Sequence, residues 1–128
     1  MPDTRVAPRD HEAAGRAVIA HLRQLEERSA PGLTAQVLPV FLKDTAARLA
    51  ALKDAVDRKD ANTAHRLAHT LHGSAATVGA ASMVTSCAEV IREVRHGVFD
   101  RCDDLIKELM LDFEAIQKAS QSILSDAP

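Results

Sequence analysis

The 128-residue chain has no tryptophan, no tyrosine and only three phenylalanines. It therefore offers no aromatic platform for stacking nucleobases, and a net charge of −2 gives no general attraction to a phosphate backbone, so no nucleic-acid partner is expected. The core must be built from Leu, Val, Ile, Ala and Met, a mixture that favours helices over sheet. Cys87 and Cys102 are too few and too far apart for a disulfide framework or a Cys-rich zinc site. Both fall in apolar helical registers, which predicts reduced core residues in a cytoplasmic protein. Met1-Pro2-Asp3-Thr4-Arg5 leads into no apolar run, and no stretch is apolar enough to span a bilayer, so neither a signal peptide nor membrane attachment is expected. No segment of length alternates with period two and no glycine-rich strand-to-helix turn occurs, which removes a Rossmann unit, a P-loop and an ATP-binding domain of its own.

What the chain does have is helical periodicity. Residues 1–10 read as a loose leader, and 11–128 as a single helical domain of ordinary size. Ala14, Val18, Leu22 and Leu25 predict a first helix over 11–28, ended by Ser29-Ala30-Pro31-Gly32. A second over 34–58 carries the stripe Val37, Val40, Phe41, Thr45, Leu49, Leu52 and Val56. Pro39 within it predicts a kink or a start near Gln36. Asp60 suits the N-cap of a third helix that stops near Val78-Gly79. A fourth over 80–96 buries Met83, Cys87, Val90, Ile91 and Val94. A fifth over 99–124 buries Cys102, Leu105, Ile106, Leu109, Phe113, Ile116 and Ile123, leaving 125–128 as a tail. The expected fold is all-α: an antiparallel up-down-up-down four-helix bundle with an additional N-terminal helix capping one end.

The third helix holds the unusual chemistry. At about 100° per residue, Leu67, Leu71, Ser74 and Val78 share one face, with Ala64 and Ala75 on its flank. On that wheel His65 lies about 160° from Leu67, His69 about 200° and Gly73 about 240°, with His72 nearer the edge at about 140°. The side opposite the core thus carries two histidines and a glycine. Mid-helix glycine costs roughly 1 kcal/mol relative to alanine, so Gly73 implies that something must approach the backbone there. Three readings are open: a merely wet polar face, a metal site, or a phosphoryl acceptor. His65, His69 and His72 have the spacing of metal ligands on one side of a helix, but no motif elsewhere supplies a fourth ligand and second shell, so no metal is expected. As an acceptor, a neutral imidazole nitrogen is a good nucleophile near pH 7, and His69 is solvent-facing, on a rigid element and beside little bulk.

The stretch Ala68-His69-Thr70-Leu71-His72-Gly73-Ser74-Ala75-Ala76-Thr77-Val78-Gly79-Ala80 resembles the signature Ala-His-x-Leu-Lys-Gly-Ser-Ala-x-x-x-Gly-Ala of the histidine-containing phosphotransfer (HPt) domain of multistep phosphorelays. Phe41-Leu42-Lys43-Asp44 with Arg48-Leu49-Ala50-Ala51-Leu52 resembles the family's second helix, and Cys87-Ala88-Glu89-Val90 its fourth. The resemblance covers roughly residues 20 to 124. It implies a phosphocarrier without catalysis of its own. His69 would accept a phosphoryl group from a receiver-domain aspartate and pass it to another, the partners being response-regulator receivers or a hybrid histidine kinase. The carrier would need no cofactor, Mg²⁺ being expected on the receiver. Gly73 would give clearance, Ser74 would turn to the core and satisfy a backbone carbonyl, and His65, Arg66, Ala68 and Ala76 would lie in the docking face with the second helix near Val37, Val40 and Phe41. The departure is His72, where the family usually has lysine; a partly protonated imidazole in that role predicts a working but pH-sensitive acceptor. A non-phosphorylated receiver-binding adaptor is the alternative, a metal-binding bundle the third reading, and a monomer the expected state.

Overall fold

The computed structural model describes residues 10–125, so the leader expected before Asp10 and the last three residues of the expected tail lie outside the described residues. The described residues form five α-helices and no strand: α1 His11–Arg28, α2 Leu33–Asp57, α3 Ala61–Thr77, α4 Ala81–Arg95 and α5 Cys102–Ser125. Local chemistry sets most boundaries. The Asp10 carboxylate accepts from the Ala13 N–H at 3.2 Å, so the last leader position is the cap of α1. Asp60 accepts from the Thr63 N–H at 3.2 Å and from the Thr63 hydroxyl at 2.7 Å, capping α3 as predicted. Gly79, at φ 77°, ends α3, with its N–H donating to the Ala76 carbonyl and the next N–H, of Ala80, reaching back to Ala75 at 2.8 Å. The same pair of bonds closes α2 around Lys59, which holds a left-handed conformation at φ 56° without being glycine.

Two boundaries differ from the sequence reading. α2 starts at Leu33, three residues ahead of Gln36, with Pro39 inside it. The Thr34 N–H donates at 2.7 Å to the Glu26 carboxylate of α1, so a non-local side chain supplies the cap. Pro39 and Ala35 are both exposed, which leaves to water the carbonyl that a proline cannot serve. α5 starts at Cys102 rather than 99, because Val98 donates back to the Glu93 carbonyl at 2.9 Å and Phe99 accepts from the Cys102 N–H, drawing both into the connection.

α3 packs against α4, α4 against α5, α5 against α2 and α2 against α3, so these four helices form a closed ring. Its interior is aliphatic: Leu38, Leu52, Leu71, Met83, Val90, Leu105, Ile106, Leu109 and Ile116 are fully buried. Each such side chain contributes about 1.5 to 3 kcal/mol on removal from water. Cys87 and Cys102 are free and buried, as expected, and burial pushes their thiols up to about 12 and about 11.

α1 lies along α5 and also touches α2 and α4, rather than simply capping one end. A Cβ at Gly15 would stand 2.7 Å from the Ala115 carbonyl oxygen, so glycine is what allows the two backbones to approach. One turn earlier, His11 Nδ1 is 2.7 Å from Asp112 Oδ1 and Nε2 is 3.0 Å from Glu108 Oε2. Asp112 is wholly buried and also accepts from the Ser82 hydroxyl of α4 at 2.7 Å. Farther along, His21 packs so tightly on Gly79 that a Cβ there would lie 2.5 Å from the ring. Through these contacts α1 braces α4, α5 and the turn that follows α3.

Candidate functional site

α3 turns one stripe inward and the opposite stripe out. Ala64, Ala68, Leu71, Ala75 and Val78 are buried, whereas His69, Thr70, Gly73, Ala76 and Thr77 are exposed. His65 and His72 flank the exposed stripe, each partly buried, and Arg66 is exposed. The wheel therefore placed His69 and Gly73 correctly. The expectation that Ala68 lies in the docking face is corrected, since Ala68 has no exposed surface and cannot contact a partner. The buried arc is centred about 50° from the face assumed, toward Ala68, because small alanines at 64, 68 and 75 let α3 approach its neighbours closely, and Leu67 and Ser74 are correspondingly only partly buried.

His65 and His69, one turn apart, hold their rings parallel, with centroids separated by 6.4 Å and planes inclined by 2°. On the other side of His69 the backbone is bare. A Cβ built at Gly73 meets nothing within 4 Å, so neither sterics within the chain nor backbone geometry requires glycine there. This separates Gly73 from Gly15 and Gly79, whose Cβ positions are blocked by neighbours. An exposed helical glycine with empty space above it leaves room for a group outside the chain to approach the backbone beside His69.

Beside this stripe an open groove runs between α2 and α3. Val37, Val40, Phe41 and Thr45 form one wall, Ser74, Thr77 and Val78 the other, and Gln36, Asp44 and Arg48 also line it. Ser74 is five residues beyond His69, so the groove begins about 7 Å along the helix axis from the imidazole. The structure resolves which α2 residues are core. Phe41 is buried, Val37 is half-buried, and Val40, which the apolar stripe had included, is 60 % exposed. Val40 is the most exposed of the three large exposed hydrophobic residues among those described. Sequence periodicity missed Thr77 of α3 and Asp44 and Arg48 of α2 as groove residues, whose only sequence signal was their place in the segments that resemble the family. Ala76 is exposed but belongs to a different depression, shared with Ala80, Ala81, Val84 and Thr85 at the α3–α4 turn.

Among the described residues no group of three or more His, Cys, Asp or Glu is arranged to hold a metal ion. No helix among them is long and apolar enough to cross a membrane. The chemistry available on α3 is thus that of an accessible imidazole nucleophile with a flat neighbour on one side and a bare backbone on the other.

No curated protein and no solved structure matches the chain closely enough to count as similar. The family model of the Hpt domain matches residues 36–119, a span that holds α3, α4, most of α2 and most of α5 and leaves α1 outside. An all-helical chain with a closed four-helix ring, and a match over well more than half its length, belong together: this chain is a member of the Hpt domain family, the phosphocarrier modules of two-component signalling.

Proposed function

We propose that His69 accepts a phosphoryl group from the aspartyl phosphate of one receiver domain and passes it to the aspartate of another. A ring nitrogen of neutral His69 attacks phosphorus, the P–O bond to the aspartyl carboxylate breaks, and the carboxylate leaves with its electron pair. The reverse step returns the group to a second receiver. The chain supplies the nucleophile and its setting. The receiver supplies the Mg²⁺ and the groups that stabilise the transferring phosphoryl, so no cofactor is assigned to this chain. The observation that carries this reading is the open space over Gly73 beside an exposed His69, which fits a partner surface bringing its own phosphate to the helix.

Docking then falls on the exposed stripe of α3 and on the apolar edge of the groove at Val40, with Arg66 and Ala76 at the margins. His72 stands where the family's lysine does and serves as its weaker substitute. The protein works in the cytoplasm as a monomeric single domain, and short connections around a closed ring favour up-down-up-down order for α2 to α5. His72 in place of lysine also favours a second reading, a receiver-binding adaptor that carries no phosphoryl group.

The test is incubation with a panel of receiver domains charged with acetyl phosphate. The expected product is an acid-labile, base-stable label on the wild type that is absent from His69→Gln. Label that persists in His69→Gln overturns the site, and binding without label from any receiver favours the adaptor.

A further inference from the structure

Arg48 and Arg101 are the two partly buried arginines among the described residues. Arg101 is satisfied within the fold, 3.3 Å from Glu89 and 3.4 Å from Glu93. Arg48 makes no ion pair or side-chain hydrogen bond among the described residues, although Asp44 precedes it by one turn and lines the same α2–α3 groove. Spacing is not the obstacle. Farther along α2, Asp54 and Arg58 have the same order and spacing and pair at 2.9 Å, and Lys53 pairs with Asp57 at 3.3 Å, all four being exposed. The pair that does not form is the one in the groove, where water is partly excluded and an ion pair gains most. The facing wall offers Arg48 no carboxylate: it consists of Ser74, Thr77 and Val78, and the Thr77 hydroxyl donates to the Gly73 carbonyl at 3.0 Å.

Resting on the reading of a receiver domain as the partner, we propose that Arg48 is a specificity-determining residue for docking. Its guanidinium takes a carboxylate of the receiver surface while an apolar receiver side chain covers the exposed Val40. A planar guanidinium grips a carboxylate through two parallel N–H···O bonds, which fixes orientation as well as adding affinity. Asp44 repels a second carboxylate one turn away and so sets which way along the groove the partner lies. Both signs of charge around an apolar centre suit a folded protein surface better than a small anion. A contact of standard size covers about 800 Å² of each partner, a disc of about 16 Å radius. A receiver centred on His69 therefore reaches the groove, which begins about 7 Å along the helix.

The experiment measures equilibrium binding of uncharged receiver domains, from the panel used for labelling, to wild type, Arg48→Gln, Arg48→Lys and Arg48→Glu. Each substitution is repeated in His69→Gln, so that docking is read apart from phosphorylation. Thermal melting should be unchanged, since Arg48 has no partner within the fold. Kd should weaken about tenfold in Arg48→Gln and further in Arg48→Glu, with Arg48→Lys between wild type and Arg48→Gln. The salt dependence of binding should flatten in Arg48→Gln, while transfer at saturating receiver keeps its wild-type rate. Equal affinities across the series, or weaker binding that follows a lowered melting temperature, overturns the proposal and leaves His69 as acceptor. Wild-type self-association that Arg48→Glu abolishes gives the groove to a second copy of this chain and also overturns it. Binding that follows the expected series without label on the wild type supports the docking residue and overturns the acceptor, and a panel in which no receiver binds overturns both.

Discussion

At Gly73 stability and the proposed function make opposite demands on one residue. Its Cβ position is empty, its backbone is helical, and alanine is the better helix former, so Gly73→Ala should stabilise the folded protein by about 0.5 to 1 kcal/mol. The same methyl occupies the space beside His69 that the proposed docking of a receiver uses, and on that proposal transfer should fall about tenfold or more. Urea denaturation and receiver-to-carrier transfer rates check the two halves. A variant that gains stability and keeps its rate would show that the space is not used. At this scale the sequence was informative, since helical spacing alone put His69 and Gly73 outside. It failed at Ala68, because alanine fits a buried or an exposed position equally and only the close approach of neighbouring helices decides between them. Val40 was undecidable for the same kind of reason: apolar character marks both a core residue and a docking residue, and which it is depends on whether a facing helix arrives to cover it.

Helix ends were legible where the cap is local and illegible where it is borrowed. Asp60 was read as a cap, and it is one. The start of α2 could not be read, since its donor at Thr34 is served by Glu26 from the preceding helix. Both carboxyls are held below the usual carboxylate range. At Asp60 the hydroxyl of Thr63 is the main cause and its backbone N–H the next; at Glu26 the backbone N–H of Thr34 is the main cause. A carboxyl whose folded pKa is depressed adds stability that is fully present above its unfolded value and lost as pH falls through the folded one, because the unfolded chain takes up the proton first. The loss therefore falls on the acid side of about pH 4. Asp60→Asn retains an acceptor at the cap but cannot titrate, so its stability should fall less steeply with acid than that of wild type. Urea midpoints at about pH 7 and pH 3 measure this, and parallel curves for the two proteins would contradict it.

For the whole molecule, periodicity and short connections delivered an all-helical chain and the stripes that close the ring, because apolar spacing is what drives helices together. The seat of α1 was not legible. It depends on pairings between distant positions: the bare backbone of Gly15 against Ala115, and His11 against Asp112 and Glu108, about a hundred residues away. None of these pairings shows as a local pattern, and the family match begins beyond α1. His11 spans α1 and α5 at a site where Asp112 is wholly buried and also engaged by Ser82 of α4. His11→Ala removes one partner of that buried carboxylate and should lower stability by about 1 to 2 kcal/mol. Phosphotransfer should be unchanged, because His69 lies on α3, outside this contact. A loss of transfer equal to that of a His69 variant would mean that α1 reaches the site in some way the packing does not show.

The most direct test of the central claim is to locate the phosphoryl group itself. Protein labelled by a charged receiver, digested under mildly alkaline conditions and sequenced by tandem mass spectrometry, should carry one phosphoryl group on the α3 peptide, on His69. A group found on His65 or His72, or on any residue outside α3, would contradict the account.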